Sequence, residues 1–348
     1  IDYDYWGARD YEGWENVFQS YEGIDGESYN DYSAFTLNPD GTLTAYSLDF
    51  FDAGGEGVAD IYLRYHPSGE VVYDLPVLRS GLTLSDEAVD VNIVVDNDTL
   101  GILNEEKFQY RTDLWYSQLP EKYYELLSPV CHIPGGSNKE LFQIKFKFED
   151  LDLSQEWVLP LKIEDNSSYI TNVRKGIHKA LLHILPFNDY SGTYSAMAMN
   201  IYFIDTEDAP LVVDRRRAHV VDENTVFFYA GTKEDNAIDR ADYKINVKFE
   251  EGQVDEKGKK KGNLSVKAVN PQINFEVEGQ PTYEIWEEKD AVLPYLVHRY
   301  YTIYMRYRYD DITTVPGKVI SYRAEGSLSM ERKINSLIPD MDQQIQWN

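Results

Sequence analysis

The sequence is poor in cysteine, in basic residues and in long apolar runs. Its 348 residues include a single cysteine, Cys131, which excludes an intramolecular disulfide framework and a multi-cysteine zinc site. Lys and Arg number 33 against 60 Asp and Glu, a net charge of −27. With no basic surface to displace counterions from phosphates, nucleic acid is not an expected partner. No apolar stretch approaches the roughly 20 residues of a membrane span. The six histidines are scattered. His178 and His183 are five apart, so on one strand they face opposite sides and cannot share a metal. The sequence has no G-x-S-x-G elbow, no H-E-x-x-H pair and no G-x-x-x-x-G-K-[ST] loop. With 60 acids, pairs such as Asp205/Glu207 and Glu284/Glu288 arise by chance, and nothing marks a carboxylate pair set across a cleft for glycoside hydrolysis. No catalytic residue, metal or cofactor is expected, and the chain reads as a non-enzyme.

Apolar residues at 43% and aromatics at 14%, with 28 tyrosines, are too many for a disordered chain. The length accommodates two domains, each with its own core. The acidic excess is uneven: residues 1–60 carry fourteen carboxylates against Arg9 alone, a net of −13. Residues 1–50 therefore read as an acidic, aromatic-rich arm that packs poorly by itself and docks on the first domain through Tyr3, Tyr5, Trp6, Tyr11 and Trp14. No stretch of it fits a twelve-residue calcium loop. The chain starts at Ile1 with no charged region ahead of an apolar one, so any targeting segment is expected to have been removed.

The dominant period is two. In Leu141–Glu149, Phe142, Ile144, Phe146 and Phe148 fall on one face, with Gln143, Lys145 and Lys147 on the other. Tyr243–Glu250 repeats the pattern, and Trp157, Leu159, Leu161 and Ile163 are expected to share a core face. Such alternation, bounded by Gly, Asn, Asp and Pro, marks antiparallel strands with one wet face. The best helical stretch is Asp98–Phe108, with Asp98 or Thr99 as its cap. The run Lys259–Lys261 within Val254–Asn263 reads as part of a solvated hairpin tip. The expected fold class is all-β, with a domain join near residue 186: 51–185 with widely spaced strands, then 186–348 as a meander. Tyr-rich inward positions predict a barrel filled by its own side chains.

Several short segments resemble a domain of Bacteroidetes surface lipoproteins, the type that also precedes the catalytic module of some family-18 endoglycosidases. They are Leu-Pro-Val at Leu75–Val77, Val-Val-Asp-Asn at Val94–Asn97, Leu-Pro-x-x-Tyr at Leu119–Tyr123, Ile-Pro-Gly-Gly at Ile133–Gly136 and Val-Leu-Pro-Leu at Val158–Leu161. The stretch from Pro186–Tyr194 onward, through YYTIYMRYRYDD, resembles the lipocalin-like domain that follows in non-catalytic members. The resemblance covers about residues 58–335. It implies an immunoglobulin-like β-sandwich followed by a lipocalin-like antiparallel barrel, at the cell surface of a glycan-utilisation system. It also implies a lipid anchor upstream of Ile1 as the one membrane attachment, and outer-membrane glycan-import proteins as partners. Cys131, ahead of the Pro-Gly-Gly turn, is expected to be a small buried apolar residue rather than a reactive thiol.

For a glycan, the informative residue is an aromatic on the wet face of a strand, because sugar C–H faces stack on rings while hydroxyls need polar groups nearby. Trp286 falls among Glu284 and Glu288. In the strand around Tyr300, the face opposite Tyr301, Ile303, Met305, Tyr307 and Tyr309 reads Tyr300, Thr302, Tyr304, Arg306, Arg308 and Asp310. Trp115 and Tyr116 lie in a polar loop. The candidate glycan-binding residues are thus Trp286, Trp115, Tyr116, Tyr300, Tyr304 and Arg306. Cross-strand aromatic and Arg packing is the competing account of the strand residues. A structural protein that docks a neighbouring outer-membrane protein, with no ligand of its own, is the alternative function.

Overall fold

The computed structural model describes residues 57–66, 69–80, 86–153, 155–173, 177–204, 206 and 209–347, together with short strand backbones between Tyr21 and Phe50. The expected arm at 1–50 otherwise lies outside the described residues. Strands make up 53% of the described residues and helix 8%. It divides into two compact units: residues 1–61, 72–147 and 156–184 form one, and residues 62–71, 148–155 and 185–348 the other.

The first half of the chain supplies β1 (Ala59–Arg64), β2 (Glu70–Ser80), β3 (Val89–Val95), α1 (Thr99–Phe108), β4 (Tyr124–Leu126), β5 (Val130–Ile133), β6 (Lys139–Lys147), β7 (Trp157–Ile163) and β8 (Lys179–Phe187). One sheet runs β4, β6, β2, then the short strands Ser47–Phe50 and Ile170–Thr171. The other runs β5, β3, β7, β8, β1. The alternation of β6 holds, with Phe142, Ile144 and Phe146 buried and Gln143 exposed. Leu75 and Val77 of β2 and Val89, Val91 and Ile93 of β3 are likewise buried, so the two apolar faces make a sandwich core. Cys131 lies in that core at 2% exposure. Burial pushes its thiol up to about 12, which leaves it a small apolar residue.

Strand β7 departs from the expected single wet face, because Val158, Leu159, Pro160 and Leu161 are all buried. The helix explains this. Leu100 of α1 clusters with Val158 and Leu181, closing the second face of β7 and β8. Trp157, expected in the core, is only half-buried at the start of its strand. The helix starts where predicted, with Asp98 at the N-cap position but making no side-chain cap hydrogen bond. The Asp96 carboxylate, just ahead of it, accepts from the Thr99 hydroxyl at 2.6 Å and the Asp98 N–H at 3.3 Å.

The second half forms β9 (Gly192–Phe203), β10 (Arg215–Val220), β11 (Thr225–Tyr229), β12 (Lys244–Phe249), β13 (Lys260–Ala268), β14 (Thr282–Lys289), β15 (Leu296–Asp311) and β16 (Ile320–Asn335). Each pairs antiparallel with the next, and β16 pairs back onto β9, closing an eight-stranded barrel. The closing pair carries a bulge between Ser195 and Ala198. Facing it, Gly326 sits at φ +141°, where a Cβ would lie 2.0 Å from the Ala198 carbonyl oxygen, so only glycine permits this seam.

Eight strands leave an interior just wide enough for side chains. Tyr194, Tyr243, Tyr283, Tyr301, Tyr307 and Tyr309 fill it with Phe228, Ile245 and Met305. The void between Met199, Phe228, Met305 and Tyr307 is about 10 Å³, room for about one water.

Buried cations sit toward the barrel's ends. Arg332, 4% exposed, donates to the carbonyls of Asp189 (3.1 Å) and Ser191 (2.6 Å). Lys233, 7% exposed, lies 2.6 Å from Asp239 and 3.2 Å from Asp311. Asp311 also accepts from the Tyr243 hydroxyl (2.8 Å) and the Thr314 hydroxyl (2.7 Å). Burial alone would raise the Asp311 carboxyl, but these donors outweigh it and hold the group well below the usual carboxylate range.

Candidate functional site

The outward face of β14 and β15 is built by strand parity. Tyr283 points into the barrel, so Glu284, Trp286 and Glu288 point out. Tyr301, Ile303, Met305, Tyr307 and Tyr309 are buried, so Tyr300, Tyr304, Arg306 and Arg308 line the outer wall. Register makes Trp286 the direct cross-strand partner of Tyr300. Their rings stack with centroids 5.2 Å apart and planes 24° apart, and His298 continues the row at 6.3 Å and 15°. Trp286 and Tyr300 are half-buried, and Tyr304 is 43% exposed. Thr302, between them in sequence, is 9% exposed, flanked across the strands by Glu284 and Ser329.

Charge surrounds this row. Lys259 lies 4.6 Å from the Trp286 ring centre and 2.5 Å from Glu284, and Lys261 is 2.8 Å from the same carboxylate. These contacts lower the Glu284 pKa. The lysine run is therefore not merely a solvated tip: two of its three members clamp Glu284. His298 bridges Glu331 and Asp290, the latter at 2.9 Å. The two carboxylates raise the imidazole pKa. The N–H groups of Leu293 and Val292, then His298, bring Asp290 down to about 2. Arg306 pairs with Glu278 and with Glu325 at 3.3 Å, and Arg308 with Glu278 as well. Arg306 thus meets the surface already engaged.

The loop candidates lie in the first unit. The Trp115 indole N–H donates to the Gln109 carbonyl at 3.2 Å and the ring is half-exposed. Tyr116 is fixed to α1 by Asn104, which bonds both its N–H and its carbonyl at 2.9 Å, and its hydroxyl meets Lys107 at 2.6 Å. Its ring lies 5.0 Å from His183. His183 is itself held between Asp60 and Glu156, each at 2.7 Å. Burial disfavours the imidazolium there, but the two carboxylates prevail and raise its pKa. This is a satisfied wall histidine. Among the described residues, no cluster of His, Cys, Asp and Glu is set to hold a metal ion.

The structure thus joins Trp286, Tyr300, Tyr304 and Arg306 on one wall. Sequence reasoning missed the basic run Arg215–Arg217, which lines a cleft of about 330 Å³ beside β10. Three consecutive arginines in so acidic a chain were the available signal.

A Bacteroides ovatus protein of unknown function is 40% identical, over 86% of this chain and 100% of that one, with a TM-score of 0.75. The chain belongs to the same protein family. Also similar are a multidomain protein including DUF1735 from Bacteroides ovatus (39% identity, 86% of this chain and 99% of that one, TM-score 0.75) and an auxiliary nutrient binding protein from Bacteroides thetaiotaomicron VPI-5482 (33%, 84% and 97%, TM-score 0.75). A domain of unknown function (DUF4973) matches residues 50–167, and a "-like, C-terminal" domain matches residues 178–329. Among curated proteins none matches the chain.

Proposed function

We propose that the protein is a non-catalytic, lipid-anchored protein of the bacterial cell surface that binds glycan and supports an outer-membrane glycan-import complex. The observation that carries the binding is the outer wall of β14 and β15. Trp286 and Tyr300 stack and are half-buried, Tyr304 is exposed along the same strand as Tyr300, and Glu284, Lys259 and Glu331 surround them. Aromatic faces take the C–H side of a sugar ring, and the flanking carboxylates and ammonium meet its hydroxyls. The barrel interior is packed with side chains, so the outer wall is where aromatic faces are open to a ligand. The family relative described as an auxiliary nutrient binding protein supports the same reading. The anchor upstream of Ile1 and the surface location rest on the surface-lipoprotein resemblance.

The test is calorimetry of the full chain against a panel of neutral oligosaccharides, repeated on Trp286→Ala, Tyr304→Ala and Trp115→Ala. A glycan bound by the native protein is expected to lose at least tenfold in affinity in Trp286→Ala while the thermal midpoint stays close to native. Absence of binding across a broad panel would turn the wall into a protein-docking face. Release of reducing sugar would overturn the non-catalytic reading.

A further inference from the structure

The cleft beside β10 has a chemistry that the aromatic wall lacks. Four cations line its roughly 330 Å³: Arg215, Arg216, Arg217 and Lys233. Three are engaged by the protein. Arg215 contacts Asp214 at 3.1 Å, and Lys233 is held by Asp239 and Asp311. Arg216 shares its register position with the inward-facing Tyr194 and donates to the carbonyls of Arg215 (3.0 Å) and Gly231. Arg217, opposite Thr193, makes no hydrogen bond or ion pair among the described residues. Of the carboxylates lining the cleft, Asp214 pairs with Arg215 and Asp235 with His219 at 3.0 Å, while Glu234 forms no ion pair with Arg217 among the described residues.

A guanidinium left unpaired at the lip of a cleft, with further cations beside it, is an anion site whose planar fork matches a carboxylate. The cleft size lies at the lower end of small-molecule pockets. Its other walls, Glu234, Asp235 and Asn236, offer acceptors and an amide to hydroxyl groups rather than a second anion. We propose that this cleft binds an acidic sugar unit, a hexuronate, with its carboxylate on Arg217 and its hydroxyls toward the 234–236 loop. The anionic half of this assignment stands on the cleft alone; the sugar half rests on the glycan-binding reading above.

The test is a calorimetric titration of the full chain with galacturonate, galactose and inorganic sulfate. Galacturonate is expected to bind saturably and more weakly as salt is raised, with galactose at least tenfold weaker. Arg217→Ala, at an outward strand position, is expected to weaken galacturonate tenfold or more, with Arg217→Lys recovering only part. The same Arg217→Ala protein is expected to hold neutral glycans at the Trp286 wall as the native protein does. No saturable galacturonate binding, or equal binding by Arg217→Ala, would overturn the site. Sulfate binding as tightly as galacturonate would overturn its sugar selectivity. Galacturonate binding that persists when the neutral panel fails would leave the cleft standing and remove the Trp286 wall.

Discussion

Strand β15 carries two populations of tyrosine on opposite faces. Tyr301, Tyr307 and Tyr309 are 2%, 5% and 1% exposed, whereas Tyr304 is 43% exposed and Tyr300 half-buried. The inner rings fill the barrel, and the Tyr307 oxygen accepts from the Gly231 N–H at 3.0 Å. Of the outer rings, Tyr300 stacks on Trp286 of the neighbouring strand and Tyr304 is open to solvent. Identical side chains one residue apart thus serve stability or recognition according to parity alone.

The largest effect that would sharpen this comparison is Tyr307→Ala. It removes a buried ring and orphans a buried N–H, so unfolding free energy in denaturant is expected to fall by about 3–5 kcal/mol. Loss below about 1 kcal/mol would show that the barrel interior is loosely packed. Lys233→Met follows, at up to about 3–5 kcal/mol, because it leaves Asp311 buried without its cation. Acid titration separates the faces next. The depressed Asp311 contributes stability that is present above its unfolded value near 3.9 and is lost as pH falls through its folded value. Asp311→Asn is expected to flatten the acid limb of a stability–pH curve.

On the outer face the sign is opposite. His298 has a raised pKa, so its contribution is present below about 6.5 and disappears as pH rises through the folded value. Chemical denaturation of His298→Ala from pH 6 to 9 is expected to lack that small decline. The least effect on stability is Tyr304→Ala, within about 0.5 kcal/mol. A larger loss there would make Tyr304 a packing residue and break the comparison.

Much of the fold was readable from period two. The alternation of Leu141–Glu149 and of Tyr301–Tyr309 placed inner and outer residues correctly, because strand geometry sends successive side chains to opposite faces whatever lies nearby. Trp286 was legible for the same reason. The errors came where a third element intruded. Val158 became buried because α1 covers it, and Lys259 and Lys261 were drawn from a loop tip onto Glu284 across strands. Asp98 kept the cap position without a side-chain bond, while the neighbouring Asp96 carboxylate is fixed by Lys179, 83 positions on, at 3.1 Å.

By itself, then, the sequence determined the fold class, the inward and outward residues of each regular strand and the filled barrel interior, since these follow from local parity and side-chain volume. Tertiary structure alone decided which outward residues meet: that Trp286 opposes Tyr300 and that Arg217 forms no ion pair among the described residues. Those pairings depend on register between strands and on how β16 closes onto β9, and register is a property of the assembled sheet that no single strand encodes.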